Sequence, residues 1–367
     1  MLDPNSSEPL YLQMANLLRN RILSGELKVN ERIEPELELS QLHGLSRGTV
    51  REALDLLEEE GFLRRIQGKG TFVLHKDPRD KSSIIGVVMP YLKDQMIVRI
   101  LLGLEKTLQE NGYNFILCHS NSDLELERKQ LERLQRQGTA GIILFPTSLQ
   151  AEGDLVTNLL GENFPLVLVD RRIAGLKADF VGMDNFAGAY QAVSSLLDAG
   201  HQNIACVVPP DRPTSILDRI RGYETAMQDR GLFPLAAVSL AGSGTAGDDG
   251  IPHYSADDLA PIERLMNLKA SPDALFCGND FIAIGILHHL QEKGVQIPED
   301  VALIGFDDTS YAGFPSVQLS TVSQPSAEIG RVAAELLLER IKNPELAART
   351  SLLPGALVLR SSSRTTK

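Results

Sequence analysis

The chain has 367 residues, of which 43% are hydrophobic and 23% are charged, and its formal net charge is −12. A prior of roughly 150 residues per domain suggests two or three globular units. The sequence contains no run of about 18 uninterrupted apolar residues, and we therefore expect no membrane-spanning helix. The polar start of the chain, with Asp3 and Glu8, lacks the basic and apolar regions of a secretory signal. We therefore expect a cytoplasmic protein.

The acidic balance is unfavourable for a nucleic-acid-binding protein, because phosphate neutralisation needs Lys and Arg. Any DNA-binding prediction must therefore rest on the local arrangement of basic residues. The cysteines, Cys118, Cys206 and Cys277, are odd in number and show no C-x-x-C spacing, which argues against a disulfide framework and a zinc site. The 7 histidines are scattered without metal-ligand spacing. We expect no metal and no cofactor.

The first 75 residues show helical patterns that end in a glycine-rich hairpin. Helices are predicted over 10–24, 36–42 and 47–60, from apolar residues that recur on one face. The turn Gly44-Leu45-Ser46 separates the last two, with a glycine that can take positive φ and a serine that can cap the third helix. This order is the helix-turn-helix arrangement, whose second helix reads the major groove with its N-terminal residues.

The first turn of the third helix carries two arginines, Arg47 and Arg51, which share one face because they lie four residues apart. One can bond guanine O6 and N7 while the other holds a phosphate, and the sequence does not decide which. The hairpin tip can bring backbone N–H groups and a lysine to a phosphate or a minor groove. The predicted DNA contacts are Arg47, Thr49, Arg51, Gly68, Lys69 and Gly70.

The motifs GLSRGTVREAL and EGFLRRIQGKGTFV, in this order, resemble the GntR family of winged-helix regulators. The resemblance implies a winged helix-turn-helix DNA-binding domain over residues 1–75. The second helix departs from the family pattern, with Pro35 in place of the usual serine cap and Leu37 in place of a common arginine. The neighbouring Glu34, Glu36 and Glu38 would repel phosphate if they faced it. We therefore expect modest DNA affinity that needs two half-sites.

A different pattern begins after the charged, proline-containing segment 76–82, which we predict to be a linker. From residue 83 onward, short continuous apolar runs alternate with amphipathic helical patterns. Such runs predict parallel strands covered on both faces, and therefore an α/β fold with doubly wound parallel sheets. The predicted strands cover 84–89, 114–118, 141–145, 166–169, 204–208, 274–277 and 301–306.

The second region also carries an ordered series of motifs. They are VGMDNFAGA at 181–189, RIRGY at 219–223, CGND at 277–280, IPEDVALIGFDD at 297–308 and TVSQP at 321–325. This series resembles the effector-binding core of the LacI/GalR repressors, which is itself similar to periplasmic sugar-binding proteins. The resemblance implies two lobes joined by three crossovers, with a ligand clamped between them at the carboxyl ends of strands.

Within this predicted domain, 83–367, the resemblance places about 83–184 and 322–350 in the first lobe. It places about 185–321 and the C-terminal tail in the second. Carboxylates, an amide and guanidinium groups at strand ends suit the recognition of hydroxyl groups. The predicted effector contacts are Asp170, Arg171, Arg219, Asn279, Asp307 and Tyr91. Because the chain has no Trp, stacking on a sugar face would fall to Tyr91, Phe186, Phe306 or another smaller ring.

Several of these side chains have a structural alternative, since only one of two neighbours is expected to face the ligand while the other caps a turn or helix or lies outside. The pairs concerned are Arg171 and Arg172, Asp307 and Asp308, and Asn279 and Asp280. A sugar is favoured as effector, with a nucleobase or another metabolite as the alternative.

Together, the two modules predict a sequence-specific transcription regulator, and specifically a repressor whose operator affinity depends on a small metabolite. The combination resembles the arabinose-operon repressors of this mixed architecture. We expect a homodimer on a near-palindromic operator, associated with the nucleoid through that operator. A solute-binding receptor is disfavoured by the DNA-binding module. An enzyme is disfavoured because no G-x-S-x-G, P-loop or metal motif is present, and an aminotransferase-like body would need a longer C-terminal region.

Overall fold

The computed structural model describes residues 9–23, 26–28, 30–74, 83–92, 94–147, 156–157, 159, 164–240, 245–246, 252–309 and 318–363. The chain divides into two compact units, Met1–Ser82 and Ser83–Lys367. The predicted linker over 76–82 lies outside the described residues. Its role, like the lobe boundaries given above, stays a prediction.

The first unit contains helices and a hairpin at the predicted places. They are α1 Leu10–Leu23, α2 Glu36–His43, α3 Arg47–Glu59, β1 Leu63–Ile66 and β2 Gly70–Val73. Gly44 ends α2 with a φ of +66°, and Ser46 caps α3 by accepting a hydrogen bond from the Thr49 amide. Apolar side chains from all three helices and both strands form one core, including Met14, Leu54 and Val73.

A third extended segment widens the β1–β2 hairpin. The Ile33 amide donates to the Thr71 carbonyl, and the Val73 amide donates to the Glu31 carbonyl. Arg32 therefore lies opposite Phe72 in an antiparallel bridge. The wing is thus three extended segments wide at this point.

The second unit alternates strands and helices, as its apolar runs predict. Its strands are β3 Ile84–Met89, β4 Asn114–His119, β5 Gly141–Leu144, β6 Leu166–Val169, β7 Asp179–Met183, β8 Ile204–Val208, β9 Val238–Ser239, β10 Thr245–Ala246, β11 Pro252–His253, β12 Ala274–Cys277, β13 Ala302–Ile304, β14 Thr321–Ser323, β15 Thr350–Leu353 and β16 Ala356–Val358. Its helices are α4 Gln95–Glu110, α5 Leu124–Arg136, α6 Asn185–Asp198, α7 Thr214–Asp229, α8 Ala256–Met266, α9 Asp280–Glu292 and α10 Ser326–Lys342, and a 3-10 turn covers Ser361–Ser363. None of the described helices is long and apolar enough to cross a membrane.

Two parallel sheets organise this unit. One has the order β15-β7-β6-β5-β3-β4 and the other the order β13-β12-β8-β9. In each sheet the strand order reverses, between β3 and β5 in the first and between β8 and β12 in the second. Ligands of open α/β sheets bind at such reversals, beyond the carboxyl ends of the strands. The topology therefore defines a crevice between the sheets.

The chain passes from the first sheet to the second where β7 leads into α6, and β14 pairs antiparallel with β16 between the sheets. Asp280, at the start of α9, ties the second sheet to β14. Its carboxylate accepts hydrogen bonds from the Thr321 hydroxyl at 2.6 Å and the Thr309 amide at 2.8 Å. Burial raises the pKa of Asp280 to about 8. This group fixes the path of the crossover.

Close helix packing completes the first lobe. A Cβ placed on Gly103 would lie 1.9 Å from the Ala327 carbonyl oxygen, and one on Gly330 would lie 2.0 Å from the Ile100 carbonyl oxygen. Helices α4 and α10 can therefore approach only because both positions lack a side chain.

Candidate functional site

Charged side chains from both lobes meet in the crevice. Asp170 and Arg171 follow β6, Arg219 lies on α7, and Asp307 lies shortly after β13. Arg219 Nη1 is 3.2 Å from Asp307 Oδ1, and Arg171 Nε is 3.9 Å from Asp170 Oδ2. The charge of Arg219 opposes the rise that burial causes in the pKa of both Asp170 and Asp307, and the charge of Asp170 adds to the rise in the pKa of Asp307. Four of the predicted effector contacts thus form one electrostatic group.

Arg219 is the most firmly held member of this group. Its Nε donates to Asn185 Oδ1 at 2.8 Å, and its Nη1 donates to the Gly278 carbonyl at 2.5 Å. Its guanidinium carbon lies 3.7 Å from the centre of the buried Phe306 ring, within range for a cation–π interaction. The side chain is buried and has a single fixed direction, as a preorganised ligand contact requires.

The two acids of the crevice adopt strained backbone conformations. Asp170 has a φ of +63° and Asp307 a φ of +110°, in the region that disfavours side chains with a Cβ. Hydrogen bonds hold both, from the Asp170 amide to the Val181 carbonyl at 3.0 Å and from the Asp307 amide to the Val322 carbonyl at 2.8 Å. Such conformations cost about 1–3 kcal/mol each and cluster at functional sites. Their occurrence at two facing strand ends points to a ligand site.

The surroundings change the protonation of these groups. Burial raises the pKa of Asp307 to about 6, although the Arg219 guanidinium acts in the opposite direction. Burial likewise raises the pKa of Asp170, and Arg171 and Arg219 oppose it. Burial and the nearby Asp94 also raise the pKa of Tyr91. The Tyr91 hydroxyl therefore keeps its proton at neutral pH and can donate a hydrogen bond.

Two buried polar atoms of the crevice have no hydrogen-bond partner among the described residues. They are Arg171 Nε, a donor, and Gln324 Oε1, an acceptor. The other end of Gln324 donates from Nε2 to Asp307 Oδ1 at 2.6 Å. An unsatisfied buried polar group costs about 1–3 kcal/mol. A ligand with several hydroxyl groups can satisfy both, since each hydroxyl donates and accepts.

The structure separates the neighbours that the sequence leaves as alternatives. Arg171 approaches Asp170, whereas Arg172 lies over the Phe180 ring at 4.4 Å. Asp308 accepts a hydrogen bond from Arg360 at 2.7 Å, and Asp307 is the one beside Arg219.

Asn279 has a different position from the other predicted contacts. Its Oδ1 accepts a hydrogen bond from the Ile282 amide at 2.9 Å and caps α9. The helix-cap alternative thus describes Asn279, and Asp280 is the buried crossover group. Gly278, the neighbour of Asn279, contacts the charged group, since the Gly278 carbonyl accepts a hydrogen bond from Arg219.

Of the three rings considered for stacking, Tyr91 is the one placed among the crevice charges. Asp94, Arg171, Asp170 and Asp307 all act electrostatically on its hydroxyl. Phe306 is fully buried beneath Arg219, and Phe186 stacks on the Tyr190 ring with centroids 6.3 Å apart. Both phenylalanine rings are thus packed against other side chains, and a stacking role for any of the three rings stays a prediction.

The candidate nucleic-acid interface lies on the first turn of α3. Arg47 and Arg51 are both exposed on this turn. Arg51 donates to both carboxylate oxygens of Glu36, at 2.9 and 3.4 Å. Thr49 lies beside them, with its Oγ1 2.8 Å from the Ser46 Oγ that caps the helix. Both arginine side chains can therefore extend from the same face of α3 into a DNA groove.

The wing tip is a tight turn made possible by glycine. Gly68 has a φ of +75° and Gly70 a φ of +116°, and the Lys69 amide donates to the Ile66 carbonyl at 2.9 Å. Lys69 is exposed at the tip. The predicted backbone and lysine contacts are therefore presented together.

Two acidic residues near the start of α2, Glu34 and Glu36, have internal arginine partners. Glu34 lies 3.3 Å from Arg21, and Glu36 pairs with Arg51. Pro35 offers no side-chain cap to α2. The expected repulsion of phosphate by these glutamates is reduced by their arginine partners.

Comparison with known proteins identifies both modules. Residues 10–73 match the gntR family of bacterial regulatory proteins, and residues 193–363 match the periplasmic binding protein-like domain. The chain is 33% identical over 361 residues to the arabinose metabolism transcriptional repressor of Geobacillus stearothermophilus, covering 94% of this chain and 97% of that protein. The chain belongs to this repressor family. The predicted family and the regulatory function are thereby confirmed.

Further relatives match about three quarters of the chain. It is 29% identical over 289 residues to the ribose operon repressor of Haemophilus influenzae, covering 77% of this chain and 81% of that protein. A LacI-family regulator from Enterococcus faecium with bound ribose is similar in structure, with 28% identity and a TM-score of 0.62, over 76% of this chain and 98% of that one. The predicted α/β fold class is confirmed.

Sequence reasoning missed several polar groups of the crevice in this repressor. Asn185 and Gln324 fall inside the motifs that indicate the family, but an amide carries no sign of its partner. Asp94 caps α4 and acts on Tyr91 and Asp307. Glu127 accepts from the Thr147 amide at 2.7 Å, and Arg171 acts on its charge. In a sequence, an acid at the start of a helix is usually interpreted as a cap or as a favourable charge at the helix N-terminus. For this reason Asp94 and Glu127 were not predicted as crevice residues.

Proposed function

We propose that the chain is a homodimeric repressor that holds a near-palindromic operator with two copies of α3. Arg47 and Arg51 supply one base contact and one phosphate contact per half-site, and the 68–70 tip approaches the backbone or minor groove. An effector that closes the crevice changes the spacing of the two DNA-binding units. Operator and effector affinities are then reciprocally coupled, typically by about 1–3 kcal/mol.

The observation that carries this proposal is the buried Arg219, fixed between Asn185 and Gly278 with its Nη1 atom 3.2 Å from Asp307 Oδ1. A guanidinium, carboxyl groups and a protonated tyrosine within one crevice favour a ligand rich in hydroxyl groups. The relatives named for arabinose and ribose support a sugar, and we place pentoses first. The chain acts in this role without a cofactor or catalytic step, in the cytoplasm and at the nucleoid.

The test begins with selection of duplexes from a random DNA library by the full-length chain. We expect an enriched near-palindrome with half-sites about one helical turn apart. A thermal-shift panel of pentoses, hexoses and nucleosides then identifies the effector, since ligand at 100 times its Kd stabilises the folded state by about 2.7 kcal/mol. Failure to enrich any duplex would contradict the DNA-binding proposal. A shift with nucleosides alone would contradict a sugar effector.

Effector affinity is expected to fall as the pH drops below about 6. The pKa of Asp307 is raised to about 6 in the folded chain, so this carboxyl is ionised only above that pH. Ligand hydroxyls donate to the ionised form, and ligand binding must expel the proton at lower pH. Titration calorimetry at pH 5, 6 and 7.5 measures the effect, with Asp307→Asn as the control. Equal affinity at pH 5 and 7.5 would contradict ligand contact by this carboxylate.

The same shift has the opposite sign for folding stability. The folded pKa of Asp307 lies above the unfolded value of about 4, so the folded state binds the proton more tightly. Its stabilising contribution is present at low pH and is lost as the pH rises through about 4 to 6. Weaker effector binding at pH 5 therefore does not reflect loss of this contribution to folding.

The homodimer is expected to depend on an apolar face formed by α4 and the edge strand β4. Val98, Leu102 and Leu117 are exposed there, and Leu102 is 59% exposed. A second copy covers such a face in this proposal, because exposed apolar residues beside an unpaired strand edge favour association. Leu102→Lys should therefore shift the chain toward monomer and weaken operator binding, as sedimentation and anisotropy would show.

The matched control is Leu268→Lys, since Leu268 is 50% exposed and lies just after α8 on the other sheet's side. It should leave the sedimentation coefficient unchanged. A dimer of wild-type strength in Leu102→Lys would show that this face is not the interface.

A further inference from the structure

One face of the wing carries basic residues that the predicted DNA contacts do not include. Arg64 on β1 lies directly opposite Phe72 on β2, and Arg32 lies opposite Phe72 on its other side. Residues directly opposite one another in antiparallel segments point to the same face of the sheet. Arg64, Phe72 and Arg32 therefore form a row across the three segments of the wing.

The two faces of the wing differ in how their cations are used. Arg65, next to Arg64, points the other way. It binds carboxylates of α2 and α3, with Glu58 at 3.4 Å, Glu36 at 3.8 Å and Asp55 also in contact. Within the described part of the chain, no carboxylate forms an ion pair with Arg64 or Arg32, and both are exposed. Arg65 thus stabilises the fold, whereas the charges of Arg64 and Arg32 remain available for a binding partner.

The glycine tip adds to this row. A Cβ placed on Gly70 would lie 2.5 Å from Arg32 Nε and 3.2 Å from its Cζ, so the arginine side chain runs across the space that glycine leaves open. This position directs the Arg32 guanidinium toward the tip that carries Lys69. Gly70 therefore has a second role besides its positive φ, because it lets a cation from a distant segment join the tip.

We propose that Arg32 and Arg64 are phosphate contacts of the wing, which extend the Lys69 tip into a three-cation surface for the DNA backbone. Adjacent segments of a sheet lie about 4.8 Å apart, so the backbones of the two arginines are about 10 Å apart and their long side chains can serve separate phosphates. Contacts of this kind fix the position of the protein and carry no sequence information. The inference rests on the proposed function, namely that α3 and the wing bind DNA.

The three-cation surface can also compensate for the lack of positive charge at the second helix, α2. Leu37 stands where the family commonly has an arginine, and Glu36 uses part of the charge of Arg51. The chain as a whole is acidic. Cations without an internal carboxylate partner are therefore the groups that can supply the missing phosphate neutralisation, and Arg32 is placed to do so from outside the helix-turn-helix.

The test measures binding of the full-length chain to the selected duplex and to a scrambled duplex, by anisotropy over a series of salt concentrations. Each phosphate contact contributes about 0.9 to the slope of log K against log salt. Because the proposed dimer carries each arginine in both half-sites, Arg32→Ala and Arg64→Ala should each reduce the slope by about 1.8, and the double variant by about 3.6. Affinity should fall by the same factor for both duplexes, with the preference for the selected one unchanged.

Two controls accompany these variants. Arg32→Lys keeps the charge and should restore most of the slope. Arg230→Ala removes an exposed arginine of the other unit, paired with Asp198, and should leave the slope unchanged. Because Arg32 and Arg64 are exposed, their replacement should leave the fold intact. Circular dichroism verifies this for each variant.

The outcomes distinguish this inference from the proposed function. If Arg32→Ala and Arg64→Ala keep the wild-type slope while Arg51→Ala loses affinity, the wing surface is wrong and the function stands. If Arg47→Ala and Arg51→Ala also both bind as the wild type does, both are wrong.

Discussion

Replacing Arg219 with alanine is expected to abolish the effector response while leaving operator binding intact. The guanidinium is buried and holds three groups at once, the Asn185 amide, the Gly278 carbonyl and the Asp307 carboxylate. Hydrogen bonds that involve a charged group contribute about 1.5–3 kcal/mol each. Loss of one such contact to the ligand weakens effector affinity roughly ten- to 150-fold, which places the response outside the useful concentration range.

The loss has a second component, because Asp307 remains in the crevice without its cation. Arg219 opposes the rise in the pKa of Asp307 that burial causes. In Arg219→Ala we therefore expect the pKa of Asp307 to rise further, so that the acid is neutral over more of the physiological range. Combining Arg219→Ala with Asp307→Asn should recover part of any lost thermal stability, since it removes the uncompensated acid, but it should not recover the effector response.

The measurement is operator release, followed by anisotropy of the labelled duplex as the sugar is added. Arg221→Ala is the matched control, since it removes an arginine two positions along α7 that is exposed and paired with Asp218. That variant should be released as the wild type is. A normally inducible Arg219→Ala repressor would show that the crevice does not bind the effector through this residue.

Much of the fold could be predicted from the sequence because its signals are local. Gly44 and Ser46 end one helix and begin the next through their own backbone and side-chain preferences, and α1 to α3 agree with their predicted ranges to within one residue. The apolar runs of the second unit likewise give seven of the strands in its two parallel sheets, whereas β7, β9 and β15 were not predicted. The third segment of the wing, around Arg32, was not predicted, since it makes only a short bridge and has no alternating pattern.

The crevice shows where prediction from sequence ends. Topology places Asp170 and Asp307 at strand ends, and the sequence is sufficient for that. The choice between Arg171 and Arg172 depends on the Phe180 ring, which lies on another strand. The partner of Arg219 is Asn185, 34 positions earlier in the chain, and only the packing of α6 against α7 brings the two together. Such pairings follow from tertiary structure and leave no local signal.

The sequence likewise predicts that Glu36 repels phosphate, because its arginine partner is set by tertiary structure. From the sequence it is an acid near a phosphate-binding surface. In the structure α2 crosses α3 so that both oxygens of Glu36 accept hydrogen bonds from Arg51. This pair fixes the direction of the Arg51 guanidinium before DNA arrives. The pair also occupies one edge of the Arg51 guanidinium, since Nε and Nη2 both donate to Glu36.

Arg51→Ala is expected to abolish operator retardation while the effector-induced rise in melting temperature is unchanged. A bidentate contact between arginine and guanine contributes about 1–3 kcal/mol of discrimination. A dimer loses it in both half-sites, so the loss in affinity can reach several thousandfold when the two contributions add. The side chain is exposed on the first turn of α3, so its removal should not disturb the core of the DNA-binding unit.

Comparison with Arg47→Ala resolves which arginine reads the base. The variant that loses preference for the selected duplex over a scrambled one removes the base contact, and the variant that weakens both duplexes equally and lowers the salt slope removes a phosphate contact. Arg331→Ala, an exposed arginine on α10 paired with Glu328 and Glu335, serves as the charge control. Wild-type retardation by both Arg47→Ala and Arg51→Ala would remove α3 from the interface, because no other part of that helix places two cations on one exposed face.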